Sequence, residues 1–145
     1  MRTTMTTMGT AMGVIALLTA AAGAGGTGTI TVVATGAASD RGTVLVQLAN
    51  SAADYGDDKD AFRFAEVKPA GGRATVTFEE IPFGDYAVKV FHDENDNKKI
   101  DIGWRGPKEP YGFSNGARGL MGPPSFADAK VTLSAPTLRL EIALK

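Results

Sequence analysis

Cysteine is absent from the 145 residues, which excludes disulfides, thiolate metal sites, a cysteine nucleophile and a lipid anchor on cysteine. Histidine and tryptophan occur once each, so little of the usual catalytic equipment is present. An excess of charge is also lacking. Fifteen Lys and Arg against 16 Asp and Glu leave a net charge of -1, without the basic surplus that a nucleic-acid-binding face needs. Charge is scarcest at the start, where Arg2 stands alone before Asp40. The apolar run from Met8 to about Ala22 is short of the roughly 20 residues that span a bilayer. Its length, the polar lead Thr3–Thr7 and the small-x-small pattern Ala22-Gly23-Ala24 read as a secretory signal peptide over residues 1–24. Cleavage after Ala20-Ala21-Ala22 is an alternative, and an N-terminal anchor or a buried helix competes for the same run. Export implies a periplasmic or secreted protein. With no amphipathic helix in residues 25–145, no membrane association is expected after cleavage.

Those residues are expected to form one domain, and their apolar positions recur with period two, the strand signature. Ile30, Val32 and Ala34 form one run and Val44, Val46 and Leu48 the next. Ala74, Val76 and Phe78 lead to Ile81-Pro82, and after Phe83-Gly84-Asp85 come Tyr86, Val88 and Val90. Val131 and Leu133 precede the break at Ala135-Pro136, and Leu138, Leu140, Ile142 and Leu144 alternate with charged residues. A weaker segment, Ala61 to Val67, is a candidate seventh strand. Six or seven short strands with Gly and Pro turns predict an all-β, antiparallel sandwich. The runs on either side of Pro82-Phe83-Gly84 read as a hairpin. The sequence of that hairpin resembles prealbumin-like and collagen-binding-B-type modules.

The alternation stops between Asp93 and Phe126. Four of the seven prolines and six of the 18 glycines lie in this stretch, together with Trp104, Tyr111 and Phe113. Long structured loops inside small domains are usually functional, so any site is expected here. Asp93, Asn95, Asn97 and Asp101 occupy positions 1, 3, 5 and 9 of an EF-hand-type calcium loop, with Ile100 as the apolar eighth residue. Alternate side chains of such a turn point inward, and Lys99 would add its backbone carbonyl at position 7. Two positions depart from the pattern. Lys98 stands where the turn wants glycine, at a cost of about 1–2 kcal/mol in a left-handed conformation. Trp104 stands where a bidentate glutamate completes the shell, so Asp96, Glu94, water or Glu109 would have to help. With two core carboxylates the spacing predicts weak Ca²⁺ binding, Kd ~10⁻⁴–10⁻³ M. The competing reading is a polar turn whose Asx side chains bond their own backbone.

Phe91-His92-Asp93-Glu94-Asn95-Asp96-Asn97, Asp101, Gly106-Pro107, Glu109-Pro110, Tyr111-Gly112-Phe113-Ser114-Asn115 and Gly122-Pro123-Pro124-Ser125-Phe126 together resemble the bacterial domain of unknown function 2141 family. The resemblance covers roughly residues 27–144. It implies an exported, sandwich-like protein of bacteria with no established activity.

Trp104, Tyr111, Phe113 and Phe126, with Glu109, Asn115 and Arg118, could present a surface to a polysaccharide or an envelope protein, since exposed rings stack on apolar faces. Alternatively the rings cap one open end of the sandwich. His92 reads as structural, because it lacks evident catalytic partners. An envelope-glycan hydrolase using His92 with Ser114 or Ser125, or the carboxylates Glu94 and Glu109, is the rival, but no nucleophile-elbow motif supports it. No enzyme is therefore expected. Asp57, Asp58 and Asp60 around Lys59 read as a solvated turn.

Overall fold

The computed structural model describes residues 25–56, 61–120 and 122–145. The signal-peptide reading of residues 1–24 and the acidic turn of Asp57, Asp58 and Asp60 lie outside the described residues. Among the described residues ten strands follow in order: β1 (Thr27–Thr35), β2 (Thr43–Ala49), β3 (Arg63–Val67), β4 (Arg73–Pro82), β5 (Gly84–Asp93), β6 (Ile102–Gly103), β7 (Gly106–Pro107), β8 (Tyr111–Phe113), β9 (Val131–Leu133) and β10 (Thr137–Ala143). One sheet has the order β10-β1-β4. The other has the order β3-β2-β5-β8, with β9 also pairing to β5. The expected all-β sandwich is therefore the observed architecture. Its core joins the inward side chains of both sheets, among them Ile30, Val32, Val76 and Phe78 on one side and Val46, Leu48, Val88 and Val90 on the other.

The period-two runs fall on strands because each such strand turns one face to this core. In β4, Ala74, Val76 and Phe78 are buried and the residues between them exposed. A bulge at Glu80, whose φ is 55°, shifts the register between Gly28 and Ile30 of β1. The bulge is why Phe78 and Ile81, three residues apart, both face inward.

Two details differ from the sequence reading. The segments joined by Pro82-Phe83-Gly84 are not a hairpin, since β4 pairs with β1 and β5 with β2, in opposite sheets. The turn carries the chain across the sandwich and is held by the Tyr86 hydroxyl, which donates to the Pro82 carbonyl at 2.6 Å. Alternation alone reports which face is buried, not which strand is the partner. The second difference is at the end of the chain. β9 is antiparallel to β5, but after Ala135-Pro136 the chain changes sheets, so β10 runs parallel to β1 from Thr29↔Thr137 to Thr35↔Ala143.

Two one-turn helices, α1 (Ala52–Gly56) and α2 (Phe126–Ala129), are too short to leave a helical period in the sequence. Asp54 caps the first, accepting from the backbone N–H groups of Asn50 and Ser51. Ser125 caps the second, accepting from the N–H of Asp128. No helix among the described residues is long and apolar enough to cross a membrane.

Candidate functional site

The acidic turn begins where β5 ends. Asp93 pairs with Thr43 of β2 as the last residue of the ladder, and its side chain is fully buried. Its carboxylate accepts from the backbone N–H of Asn97 at 3.2 Å and of Lys98 at 2.7 Å. Lys98 is left-handed, with φ 67°, as the sixth position of such a loop requires. Its ammonium extends to Glu66 of β3 at 2.9 Å, and this hydrogen bond raises its pKa. The side chains at the alternate positions converge. Asn95 and Asn97 each donate an amide N–H to Asp101 at 2.8 Å, and these two bonds hold the Asp101 carboxyl below the usual carboxylate range. The side-chain oxygen of Asn97 accepts from the N–H of Lys99 at 3.1 Å, and that of Asn95 from the N–H of Asn97 at 3.3 Å.

Of the two places expected for Glu109, the structure gives it the turn and not the outer surface. Glu109 is 7% exposed and accepts from the backbone N–H of Asp101 at 3.1 Å. Lys108 N–H donating to the Asp101 carbonyl, and His92 N–H to the Pro110 carbonyl, bring it there. Burial pushes the Glu109 carboxyl above its ordinary range, and the charges of Asp101 and Asp93 act in the same direction. The donors in the turn are all oxygens, the chemistry of a hard cation. Among the described residues no group of three or more His, Asp or Glu side chains is gathered closely enough to hold a metal ion by itself.

The loop between β1 and β2 clasps the turn from the other side. Thr43 donates to Asp96 at 2.6 Å and Ser39 to Glu94 at 3.0 Å. Gly42 has φ +73°, and a Cβ there would lie 2.1 Å from the Asp93 carbonyl oxygen, so only glycine allows this approach. His92 is buried in the same clasp. Its Nδ1 accepts from the Ala38 N–H at 3.1 Å, and its Nε2 lies 2.6 Å from the Arg41 carbonyl, which fixes the Nε2–H tautomer. Ser114 donates to the Ala129 carbonyl and accepts from the Val88 N–H, and Ser125 is the α2 cap. The structure does not join these hydroxyls to His92.

The candidate surface residues separate into two groups. Phe126 packs edge-on against Tyr55, with centroids 6.0 Å apart, beside Ala49, Ala87 and Ala129. Asn115, itself left-handed, donates to the Asp128 carbonyl at 3.0 Å. These two hold the fold. Trp104 is 88% exposed and caps nothing. It stands with Tyr111 and Phe113 on a groove of about 1130 Å³ along the outer face of the β3-β2-β5-β8 sheet. Strand register builds the floor, with Leu45, Phe91 and Tyr111 in one row and Gln47, Lys89 and Phe113 in the next. Phe64 of β3 and the segment from Lys98 to Pro107, which Lys98 ties to Glu66 of the same strand, form the groove's walls, with Leu120 and Pro123 also lining it. Arg118 lines a smaller cleft of about 380 Å³ on the far side of Tyr111 and Phe113, beside β10.

Sequence reasoning named Tyr111 and Phe113 but missed the other floor residues, Leu45, Gln47, Lys89 and Phe91, and also Phe64, Ile102 and Arg105. A signal for the floor existed, since β2 carries apolar residues on both faces and is buried throughout except at Thr43. A strand covered on both sides needs a second layer over it. Here that layer is the segment from Asp93 to Leu120. No curated protein and no solved structure matches the chain. A family model described as "Uncharacterized protein conserved in bacteria (DUF2141)" matches residues 32–140, from the first core strand to the last and through the whole of the acidic turn and groove wall. With well over half of its length matched, the chain belongs to the DUF2141 family of bacterial proteins.

Proposed function

We propose that this is an exported binding module of the bacterial envelope, in which the acidic turn holds a wall over one sheet face and the groove between them takes a polysaccharide or an envelope protein. The observation that carries the reading is the groove itself. Ile102, Trp104 and Leu120 stand largely exposed around a sheet face that is otherwise covered, and solitary domains seldom expose such a patch without use. Catalysis is not part of the reading, because both ring nitrogens of His92 are engaged by backbone. Cell-wall material sedimented with the protein tests the module. The protein is expected to co-sediment, and Trp104→Ala to stay in the supernatant. Equal behaviour of the two proteins, or no sedimentation of either, would remove the proposal.

The same reading includes a weak structural Ca²⁺ held by Asp93, Asn95, Asn97, Asp101 and the Lys99 carbonyl, with Glu109 behind them. Three observations support it: the closed turn, the left-handed sixth residue and the mutual repulsion of Glu109, Asp101 and Asp93, which a cation relieves. The Asn95 and Asn97 carboxamides would each turn over to offer oxygen in place of the N–H now given to Asp101. A cation at 5 mM on a ~0.3 mM site stabilises by about 1.7 kcal/mol, which raises the melting midpoint by several degrees. Thermal melts with 5 mM Ca²⁺ and with chelator are therefore expected to differ by that amount, and Asp101→Ala to abolish the difference. Identical melts would leave the turn as a hydrogen-bonded loop with no ion.

A further inference from the structure

We infer that the occupant of the groove is an acidic polysaccharide whose sugars carry carboxylates. This rests on the binding-module reading above and deepens it. Although the chain as a whole is slightly acidic, four of the groove's lining residues are basic, Lys89, Lys98, Lys99 and Arg105, and among the described residues no Asp or Glu lines it. Lys98 is tied to Glu66, while Lys89 reaches over the Tyr55 ring at 4.8 Å. Lys99, beside the Asp101 carboxylate, and Arg105 stand on the wall, above a floor of Leu45, Phe91, Tyr111 and Phe113 that also carries Gln47 and Lys89. The field in the groove thus favours an anion, and a low-dielectric floor strengthens it.

The wall also specifies what kind of anion. The guanidinium of Arg105 lies over the exposed Trp104 ring, 4.5 Å from its centroid, so one ring face carries a cation and the opposite face is left as a flat apolar surface. A uronate sugar has the complementary pair, a face of C–H groups and one carboxylate on the same ring. One sugar can stack on the ring face that Arg105 leaves open, with its carboxylate reaching the guanidinium past the ring edge, and the next can reach Lys99. An acidic peptide fits less well. Extended peptides gain affinity by adding to an unpaired strand edge, and the groove floor is the face of a sheet, presenting side chains and not backbone. The groove's volume exceeds that of a single sugar, which suits a chain lying along it.

Trp104 is the only tryptophan, so its fluorescence reports the groove alone. The experiment titrates the exported protein with oligogalacturonate, with a neutral glucan of equal length and with poly-glutamate, at low and high salt. Oligogalacturonate is expected to change the emission at least tenfold more tightly than either control, and to weaken as salt rises. Arg105→Ala and Lys99→Ala are each expected to weaken it several-fold with an unchanged melting midpoint, since both side chains lie on the wall outside the core. Neutral glucan binding as tightly would overturn the inference while leaving a glycan module, and poly-glutamate binding as tightly would show charge without sugar recognition. Failure of all three also overturns it. Trp104-dependent sedimentation with cell walls would then still stand for the module, so the two failures are distinguishable.

Discussion

Glu109 is the residue in which burial, charge and loop closure meet. Two backbone N–H groups, of Asp101 and Glu94, hold its carboxylate, yet burial and the neighbouring acids raise its pKa. An acid whose folded pKa exceeds its unfolded value favours the folded state most when protonated. In chelator, its contribution therefore falls as pH rises from the ordinary carboxylate range through the folded value. Asp101, with a lowered pKa, acts in the opposite sense and loses its contribution as pH falls. Glu109→Gln keeps the shape and removes the charge. The variant is expected to melt about 1–3 °C above the parent in chelator at pH 7, and to gain less from Ca²⁺, as read by paired thermal melts. An unchanged Ca²⁺ response would mean that Glu109 only seals the turn. The sequence offers Glu109 only as one of several groups that could complete the turn, because the bonds that bring it there run between backbone groups, Lys108 to Asp101 and His92 to Pro110. The reverse holds for Asp93, whose spacing to Asn97 and Lys98 is local and legible.

At the scale of elements, the acidic turn carries a built-in conflict. Lys98 sits left-handed without being glycine and recovers part of that cost through an exposed pair with Glu66. Left-handed strain costs about 1–2 kcal/mol, whereas an exposed ion pair contributes about 0–1 kcal/mol. Lys98→Gly is therefore expected to stabilise the domain by about 0.5–1 kcal/mol, measured by denaturant unfolding, and to tighten Ca²⁺ binding. Destabilisation would show that the Glu66 pair, which ties the wall to β3, is the stronger term. Strand positions were legible because burial on one face imposes period two locally. Strand partners were not, as the turn at Pro82-Phe83-Gly84 illustrates. The same alternation arises whether β4 folds back on β5 or crosses to the opposite sheet, and the Tyr86–Pro82 bond at the turn, though it spans four residues, leaves no mark on that alternation. The two short helices escaped for a different reason, since one turn has no measurable period.

For the whole molecule, the last strand completes the first sheet. Ile142 and Leu144 belong to the core cluster, and β10 covers the outer side of β1. A chain ending at Pro136 would leave β1 with one partner and open the core. It is expected to lose its cooperative unfolding transition in circular dichroism, and a cooperative melt near the parent midpoint would show that β10 is an accessory strand. The parallel pairing has a mechanical consequence as well. β1 enters and β10 leaves the fold side by side and pointing the same way, so tension between the beginning of the first strand and the end of the last pulls them past each other. Such a load falls along the ladder, on all seven registered pairs at once, instead of peeling them one after another. A domain gripped at both ends would meet force with its strongest geometry, while the groove, built on the other sheet, lies off the line of pull.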